Sequence, residues 1–281
     1  MIKKTAAYIL LLFLVQSFHS NASIYKTYSS ISHTITLDEI EESILPSIFS
    51  NSPLGDSSYV NYLDIVACDL YDKFNFKKWN NLNYEVFTMA YKGYLVMKKD
   101  GYISNGRYLT IMDFELSANQ RRLWVLDLEK HKIVVNDFVS HGRNSGEEFA
   151  RSFSNTPESF KSSLGFYVTG EPYMGKNDYS LRLHGVEEGF NDKALERGIV
   201  MHGADYVCSR YIKNNKRLGR SQGCPAVSPN IARWLIDDIQ GGSCLFIFYP
   251  DKKYLRKSEI VNAENPGKDF FLNSGFALNL P

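Results

Sequence analysis

The stretch that decides the fold runs from Gly198 to Val227 and reads GIVMHGADYVCSRYIKNNKRLGRSQGCPAV. Its apolar start predicts a short strand that ends at His202, and the chain returns after a basic loop with the nucleophile candidate Cys224. A thiol attacks a carbonyl carbon well when a nearby base takes its proton, and an imidazole within hydrogen-bond reach does so near neutral pH. The pattern therefore indicates a cysteine nucleophile with a histidine base.

Two small residues precede the candidate nucleophile. Gly223 allows a tight turn, in which backbone N–H groups can face a developing oxyanion. The hydroxyl of Ser221 can orient the loop or the substrate. Taken alone, one histidine and one cysteine also fit a core histidine and a buried structural cysteine, so the longer sequence has to decide.

The longer sequence resembles the L,D-transpeptidase (YkuD-type) family, in which HG is followed later by [ST]-x-G-C. It is most similar to the murein L,D-transpeptidase branch, which has SxGCPAV. The resemblance reaches from about Leu109 to Tyr254, through SHGRNSG at 140–146 and SSLGFYVTGEPYMGKNDYSLRLHGVEEGFND at 162–192. It implies an α+β fold, in which a mostly-β catalytic domain follows a helical N-terminal region, and an enzyme that needs no cofactor.

The activity that this resemblance implies is acyl transfer on peptidoglycan stem peptides. Cys224, deprotonated by His202, attacks the carbonyl of the L-residue before a D-amino acid and forms a thioester, and an amine of a second stem then makes a cross-link. If water attacks instead, the enzyme is an L,D-carboxypeptidase or endopeptidase. A family enzyme is also expected to be acylated by a carbapenem.

Two other classes of protein stay open. One is a non-catalytic peptidoglycan-binding envelope protein whose thiol forms a disulfide. The other is a papain-like protease, although in that class the cysteine precedes the histidine.

The site residues follow from the motif and from the resemblance. The candidate catalytic residues are Cys224, His202, Gly223, Ser221 and Gly203, and the candidate substrate-binding residues are Arg220, His184, His141, Arg182 and Tyr167. Many family members have Arg or Asn directly after the cysteine, where this chain has Pro225. We therefore expect Arg220 or Arg182 to pair with a substrate carboxylate instead. In the family a backbone carbonyl often orients the imidazole, and the chain after Gly203 is the expected place.

A zinc site is the alternative for the three histidines that precede a glycine. His141, His184 and His202 would each end a strand at one rim of the sheet, and Cys224 would add a thiolate ligand. The sequence contains no HExxH or CxxC motif, and the resemblance is to enzymes that work without a metal. We predict no metal.

The first 22 residues have the composition of a signal peptide. A basic start is followed by an apolar segment at 6–15 and by small residues at 20–22. The apolar segment is too short to span a membrane as a helix, so no stable anchor is expected after cleavage. The sequence therefore predicts export to the periplasm or cell envelope of a bacterium.

The remaining chain divides into three parts. Residues 23–100 are predicted to be helical, with apolar stripes at 59–74 and 86–94, and residues 101–256 form the catalytic domain before a tail at 257–281. Strands are predicted at 108–116, 122–128, 133–140, 165–169, 181–184, 199–202 and 245–249. One helix is predicted after the nucleophile, with Ser228 as its cap, Pro229 at its first position and Ile231, Leu235, Ile236 and Ile239 facing inward.

Composition and cysteine content limit the partners. The net charge of +1 over 281 residues gives no indication of nucleic-acid binding. The four cysteines, at 68, 208, 224 and 244, would enter an oxidising compartment. If Cys224 stays a free thiol, the others can form at most one bridge; Cys208 with Cys68, or no bridge at all, is favoured over Cys208 with Cys224.

Overall fold

The computed structural model describes residues 62–76 and 82–263. The predicted signal peptide and the end of the chain after residue 263 lie outside the described residues. The predicted limits of the domains and the predicted export stay predictions.

In the described residues two helices precede the sheet, α1 at Tyr62–Lys73 and α2 at Tyr84–Lys99. Both coincide with predicted apolar stripes, and α2 packs directly on the sheet. A Cβ atom at Gly93 of α2 would lie 2.0 Å from the ring of Phe166. Glycine at this position lets the helix backbone approach the sheet closely.

Within the described residues, eight strands form one sheet: β1 Tyr108–Asp113, β2 Leu123–Asp127, β3 Lys132–Asp137, β4 Gly165–Gly175, β5 Asp178–Gly185, β6 Val200–Gly203, β7 Ala226–Val227 and β8 Cys244–Phe248. Their order across the sheet is β3-β2-β1-β8-β4-β5-β6-β7. The pairs β1–β8 and β6–β7 are parallel, and the other neighbours are antiparallel. An isolated bridge between Val139 and Val227 brings the two ends of the sheet together.

The seven predicted strands are all confirmed, and the mostly-β fold with a helical N-terminal region is confirmed with them. Three features differ from the prediction. The strands β4 and β5 form a longer hairpin than predicted, and the two-residue strand β7 was not predicted. The basic loop after β6 also contains a short helix, α3, at Ser209–Asn215.

The helix after the nucleophile, α4, spans Pro229–Ile239. Leu235, Ile236 and Ile239 are buried as predicted, whereas Ile231 is only partly buried and Ala232 occupies the inward position. The reason is the 3.6-residue period, which aligns 232 with 235, 236 and 239. Ser228 precedes the helix but makes no side-chain capping bond. A further helix, α5, spans Lys252–Lys257.

The helix α4 covers one face of the sheet behind β6. A Cβ atom at Gly203 would lie 3.0 Å from the Cβ atom of Ala232, so Gly203 faces the helix. Because successive strand residues point to opposite faces, His202 lies on the other face of β6. None of the described helices is long and apolar enough to cross a membrane.

Candidate active site

The imidazole of His202 is held by the residue that follows it. Its Nδ1 atom lies 2.8 Å from the carbonyl oxygen of Gly203. Because a carbonyl only accepts hydrogen bonds, the ring proton is on Nδ1 and a lone pair is left on Nε2. Burial lowers the pKa of His202, while the bond to Gly203 acts in the opposite direction. The ring is therefore neutral at pH 7, which is the form that a general base needs.

A row of side chains crosses the sheet beside His202. The register pairs His202 with Ser180 and Ser180 with Tyr173, while Arg182 pairs with Val200. Directly paired residues share one face of a sheet, so all of these side chains lie on the face opposite α4. The guanidinium carbon of Arg182 lies 4.3 Å from the centre of the Tyr173 ring. This stacking fixes a cation on the face that carries the candidate base.

The thiol of Cys224 lies against the start of β6. Its sulfur accepts a hydrogen bond from the N–H of Val200 at 3.5 Å and donates to the carbonyl of Gly198 at 3.6 Å. Within the described part of the chain these are the hydrogen bonds of the sulfur, so it is not bonded to His202 in this structure. Burial raises the pKa of Cys224, opposed by the Val200 N–H and by the positive charge of Arg197. The resting form is a protonated thiol that lies against Val200, the residue two positions before His202 on β6.

The turn that carries the thiol is fixed from within. The Ser221 hydroxyl accepts from the N–H of Gly223 at 3.0 Å and donates to the carbonyl of Cys224 at 2.6 Å. Gly223 has φ of +124°, and a Cβ atom there would lie 3.0 Å from both Ile199 Cδ1 and the carbonyl oxygen of Lys161. The position therefore excludes a side chain for both conformational and steric reasons.

A second segment supports the same turn from outside. The Ser162 hydroxyl donates to the carbonyl of Gly223 at 3.2 Å and accepts from the N–H of Gly142 at 3.0 Å. Gly142 also forms an isolated parallel bridge with Ser221. The turn is thus joined to two distant parts of the chain.

His141 is buried away from any substrate. Its Nδ1 lies 2.8 Å from Nη2 of Arg122, which can only donate, and its Nε2 lies 3.3 Å from the carbonyl oxygen of Gly146. Burial and the charge of Arg122 lower the pKa of His141 to about 3. Both ring nitrogens are occupied and the ring is neutral, so the expectation that His141 contacts substrate is wrong for this structure.

The three histidines do not share one rim. His184 lies four residues along β5 from Ser180, the partner of His202, which corresponds to about 13 Å. Nδ1 of His141 accepts from the guanidinium of Arg122, and its Nε2 bonds to the carbonyl of Gly146. Neither ring nitrogen therefore has a free lone pair for a metal. Among the described residues, no group of three or more His, Cys, Asp or Glu side chains is placed to hold a metal ion. The alternative zinc set is therefore not assembled.

The remaining candidates for substrate binding are Arg220, Tyr167 and His184. Nη1 of Arg220 donates to the carbonyls of Arg143 and Gly146 and pairs with Glu147 at 2.8 Å. Arg220 therefore closes the loop next to the turn, and it shares the single carboxylate of Glu147 with Arg217. Tyr167 is fully buried, so the structure gives it no access to a substrate. His184 is exposed on the same face as Arg182, where a ligand can reach it.

A comparison of the sequence with known protein families identifies the family of this chain. Residues 78–248 match the family model described as the L,D-transpeptidase catalytic domain, which is more than half of the chain. The chain belongs to the L,D-transpeptidase catalytic-domain family. The predicted family is thereby confirmed.

Solved structures of L,D-transpeptidases show distant likeness. The enzyme from Mycobacterium smegmatis is 13% identical, with 51% of this chain and 59% of that chain covered and a TM-score of 0.33. The L,D-transpeptidase from Xylanimonas cellulosilytica is 15% identical, with 70% and 100% covered and a TM-score of 0.30. A third, solved in complex with imipenem, is 12% identical, with 50% and 59% covered and a TM-score of 0.31. This chain thus spans 59% of the Mycobacterium smegmatis enzyme and 59% of the enzyme solved with imipenem. No curated protein matches it.

Sequence reasoning about this L,D-transpeptidase-family chain missed two residues of the site. Tyr173 was not singled out because its place beside Arg182 depends on the long β4–β5 hairpin. Arg197 lies in ERGIVMHG, immediately before β6, and a charge next to a buried strand was the available signal.

All four cysteines of this family member are unpaired in the structure. Cys208 caps α3 by accepting from the N–H of Tyr211 at 3.4 Å. Cys244 is buried in β8, one residue before the predicted start of that strand. The structure contains neither the Cys208–Cys68 disulfide nor the Cys208–Cys224 disulfide that the sequence left open.

Proposed function

We propose that this protein is an L,D-transpeptidase that acts on peptidoglycan stem peptides through a thioester on Cys224. The observation that carries the proposal is the neutral His202 ring, whose Nδ1–H is bound by Gly203 and whose Nε2 is left free on the strand that contacts the thiol. Membership in the L,D-transpeptidase catalytic-domain family supports the same chemistry.

The first step of the proposed reaction acylates the enzyme. The sulfur leaves the Gly198 carbonyl, its proton passes to Nε2 of His202, and a carbon–sulfur bond forms at the carbonyl of the L-residue. The bond from that carbonyl to the D-residue breaks, and the imidazolium returns its proton to the departing amine.

The second step releases the acyl group to an acceptor. An amine of a second stem attacks the thioester and loses a proton to His202. The carbon–sulfur bond breaks, and the proton then returns to the sulfur. Attack by water in place of the amine would give the carboxypeptidase or endopeptidase outcome.

The turn before the thiol is proposed to stabilise the oxyanion. The N–H of Gly223 is engaged by Ser221, so we assign the donor role to the N–H of Cys224 itself. In this account Ser221 and Gly223 act by fixing the direction of that amide.

Arg182 is the proposed receptor for a substrate carboxylate. Its guanidinium is stacked on Tyr173 on the face that carries His202, whereas Arg220 is already paired with Glu147. A planar guanidinium binds a carboxylate through two parallel hydrogen bonds. His184 remains a candidate contact farther along the same face. Such a substrate agrees with the proposed export to a bacterial cell envelope.

Incubation of the purified protein with tetrapeptide muropeptides tests the proposal. Mass spectrometry is expected to detect cross-linked dimers that have lost one D-residue, and Cys224→Ala is expected to form none. Tripeptide monomers without dimers would instead indicate the hydrolase. A folded wild-type protein that forms neither product would refute an enzymatic role and leave the peptidoglycan-binding alternative.

A further inference from the structure

Arg197 is a half-buried cation in the turn that leads into β6. Its guanidinium makes four hydrogen bonds to a single segment of the chain. The acceptors are the carbonyls of Ser154 and Lys161, each at 2.7 Å, and the hydroxyls of Ser159, at 3.2 Å, and Ser163.

All four acceptors are uncharged. In the part of the chain that the structure describes, no carboxylate forms an ion pair with Arg197. Carbonyl and hydroxyl oxygens satisfy Nη1 and Nη2 but do not neutralise the charge, and the buried Nε of Arg197 has no hydrogen-bond partner among the described residues. Arg197 therefore presents a full positive charge in a partly desolvated position, where charges interact more strongly than in water.

This charge lies behind the turn that carries the thiol. A Cβ atom at Gly223 would be 3.5 Å from Nη2 of Arg197. On the other side, the sulfur of Cys224 donates to the carbonyl of Gly198, the residue after Arg197. The guanidinium thus lies beside the residue before Cys224, and the sulfur bonds to the residue after Arg197.

We propose that Arg197 is a positioning residue that stabilises the thiolate of Cys224 through its charge and holds residues 154–163 against the Gly223 turn. This inference rests on the proposed role of Cys224 as the nucleophile. It assigns Arg197 to the step in which the thiol loses its proton.

The electrostatics agree with this geometry. Burial raises the pKa of Cys224, and the charge of Arg197 acts in the opposite direction. Other charged or titratable groups on the elements around the turn are Arg143, Lys161, Tyr167, Arg182, His202, Tyr206 and Arg220. Arg143 is stacked on Phe160, and burial raises the pKa of Tyr167. The Lys161 ammonium is bonded to Ser152, Arg220 is paired with Glu147 and Arg182 is stacked on Tyr173. His202 is neutral, and burial raises the pKa of Tyr206 to about 12.

The test measures the ionisation of Cys224 without any peptidoglycan substrate. Iodoacetamide alkylates the thiolate, so the rate at the Cys224 peptide, followed by mass spectrometry against pH, gives the midpoint of ionisation. Arg197→Gln keeps two donors but removes the charge, and it is expected to raise the midpoint by about one pH unit. Arg197→Lys keeps the charge and is expected to stay near the wild-type midpoint. Arg256→Met, an exposed charge on α5, is the matched control and should cause no shift.

A purely structural role gives a different result. It predicts that Arg197→Gln lowers the melting temperature and leaves the midpoint unchanged, and that outcome would overturn the proposal. If neither Arg197 variant folds, Ser159→Asp is compared with Ser159→Asn, because the new carboxylate would neutralise Arg197. The Asp variant must then have the higher midpoint, and equal midpoints would reject the proposal. Because alkylation does not require turnover, failure here is separate from failure of the transpeptidase assignment.

Discussion

Two buried histidines, each followed by a glycine, occupy opposite roles in this protein. His141 accepts a hydrogen bond from the buried cation Arg122 through Nδ1 and bonds Gly146 through Nε2. His202 donates from Nδ1 to Gly203 and keeps the lone pair of Nε2 free. The same dipeptide therefore gives a structural ring in one region and a ring able to accept a proton in the other.

The difference lies in the neighbour of Nδ1. A guanidinium can only donate, so it fixes the proton of His141 on Nε2, and its charge lowers the pKa further. A carbonyl can only accept, so it fixes the proton of His202 on Nδ1. The tautomer of each ring is therefore set by the group that contacts Nδ1 in the folded protein, and not by the His-Gly dipeptide.

Removal of the imidazole at His202 is expected to have the largest effect. The variant His202→Ala should lower the rate of muropeptide cross-linking by about 10³-fold, because proton transfer by a positioned base contributes on that order. Because the ring is buried, the thermal midpoint should also fall, so the rate is compared per folded molecule. His131→Ala, in the exposed turn between β2 and β3, is the control and should retain wild-type rates. A His202→Ala protein with near-normal rates would remove the contrast between the two histidines.

Removal of the imidazole at His141 should damage stability instead. His141→Ala leaves a buried donor of Arg122 without one acceptor and creates a cavity, which costs about 3 kcal/mol of unfolding free energy. Urea denaturation measures this loss, and His141→Gln, whose amide can both accept and donate, should lose clearly less. Activity per folded molecule should persist in both variants. If His141→Ala kept full stability but lost activity, the ring would belong to the site after all.

The contact behind His202 gives a smaller expected effect. Gly203→Val places methyl groups against Ala232 of α4, and overpacking of this kind costs about 2 kcal/mol. Ala232→Gly makes room, so the double variant should lose less than the sum of the two single changes. A double-mutant cycle in urea measures this coupling. Strict additivity would mean that α4 does not support β6 at this contact.

The smallest effect, when it is counted for one pH unit, is the pH dependence of stability that His141 imposes. Its pKa is about 3 in the folded protein and about 6.5 in the unfolded chain, so the unfolded state binds a proton more readily between these values. Stability should therefore fall as pH decreases from about 6.5, with a slope that approaches 1.4 kcal/mol per unit, roughly the value for one proton. His141→Gln lacks this group, and its unfolding free energy should depend less on pH. Identical pH dependence in both proteins would contradict the assigned environment.

Much of the fold and part of the site followed from the sequence because the signals are local. Apolar runs of strand length predicted the strands, and the spacing of Leu235, Ile236 and Ile239 predicted α4. The bond from His202 to Gly203 is also local, although its acceptor is the carbonyl of Gly203 itself and not one in the chain after Gly203, as was expected. Local patterns therefore indicated His202 as the candidate base.

The surroundings of the thiol were less accessible to sequence reasoning because they are assembled over long distances. Ser162 reaches Gly223 across 61 positions, and Arg197 is bound to residues 34–43 positions earlier. The position of His184 depends on strand register, which single residues do not determine. The pairing of His141 with Arg122 likewise connects two loops that no local pattern joins.

The proposed reaction requires that Cys224 is a nucleophile activated by His202. Peptide mass spectrometry after incubation with a carbapenem tests this activation. We predict a covalent adduct on the peptide that contains Cys224, formed far more slowly in His202→Ala and absent in Cys224→Ala. An adduct on Cys68, Cys208 or Cys244 instead, or no adduct on the folded wild-type protein, would contradict the account.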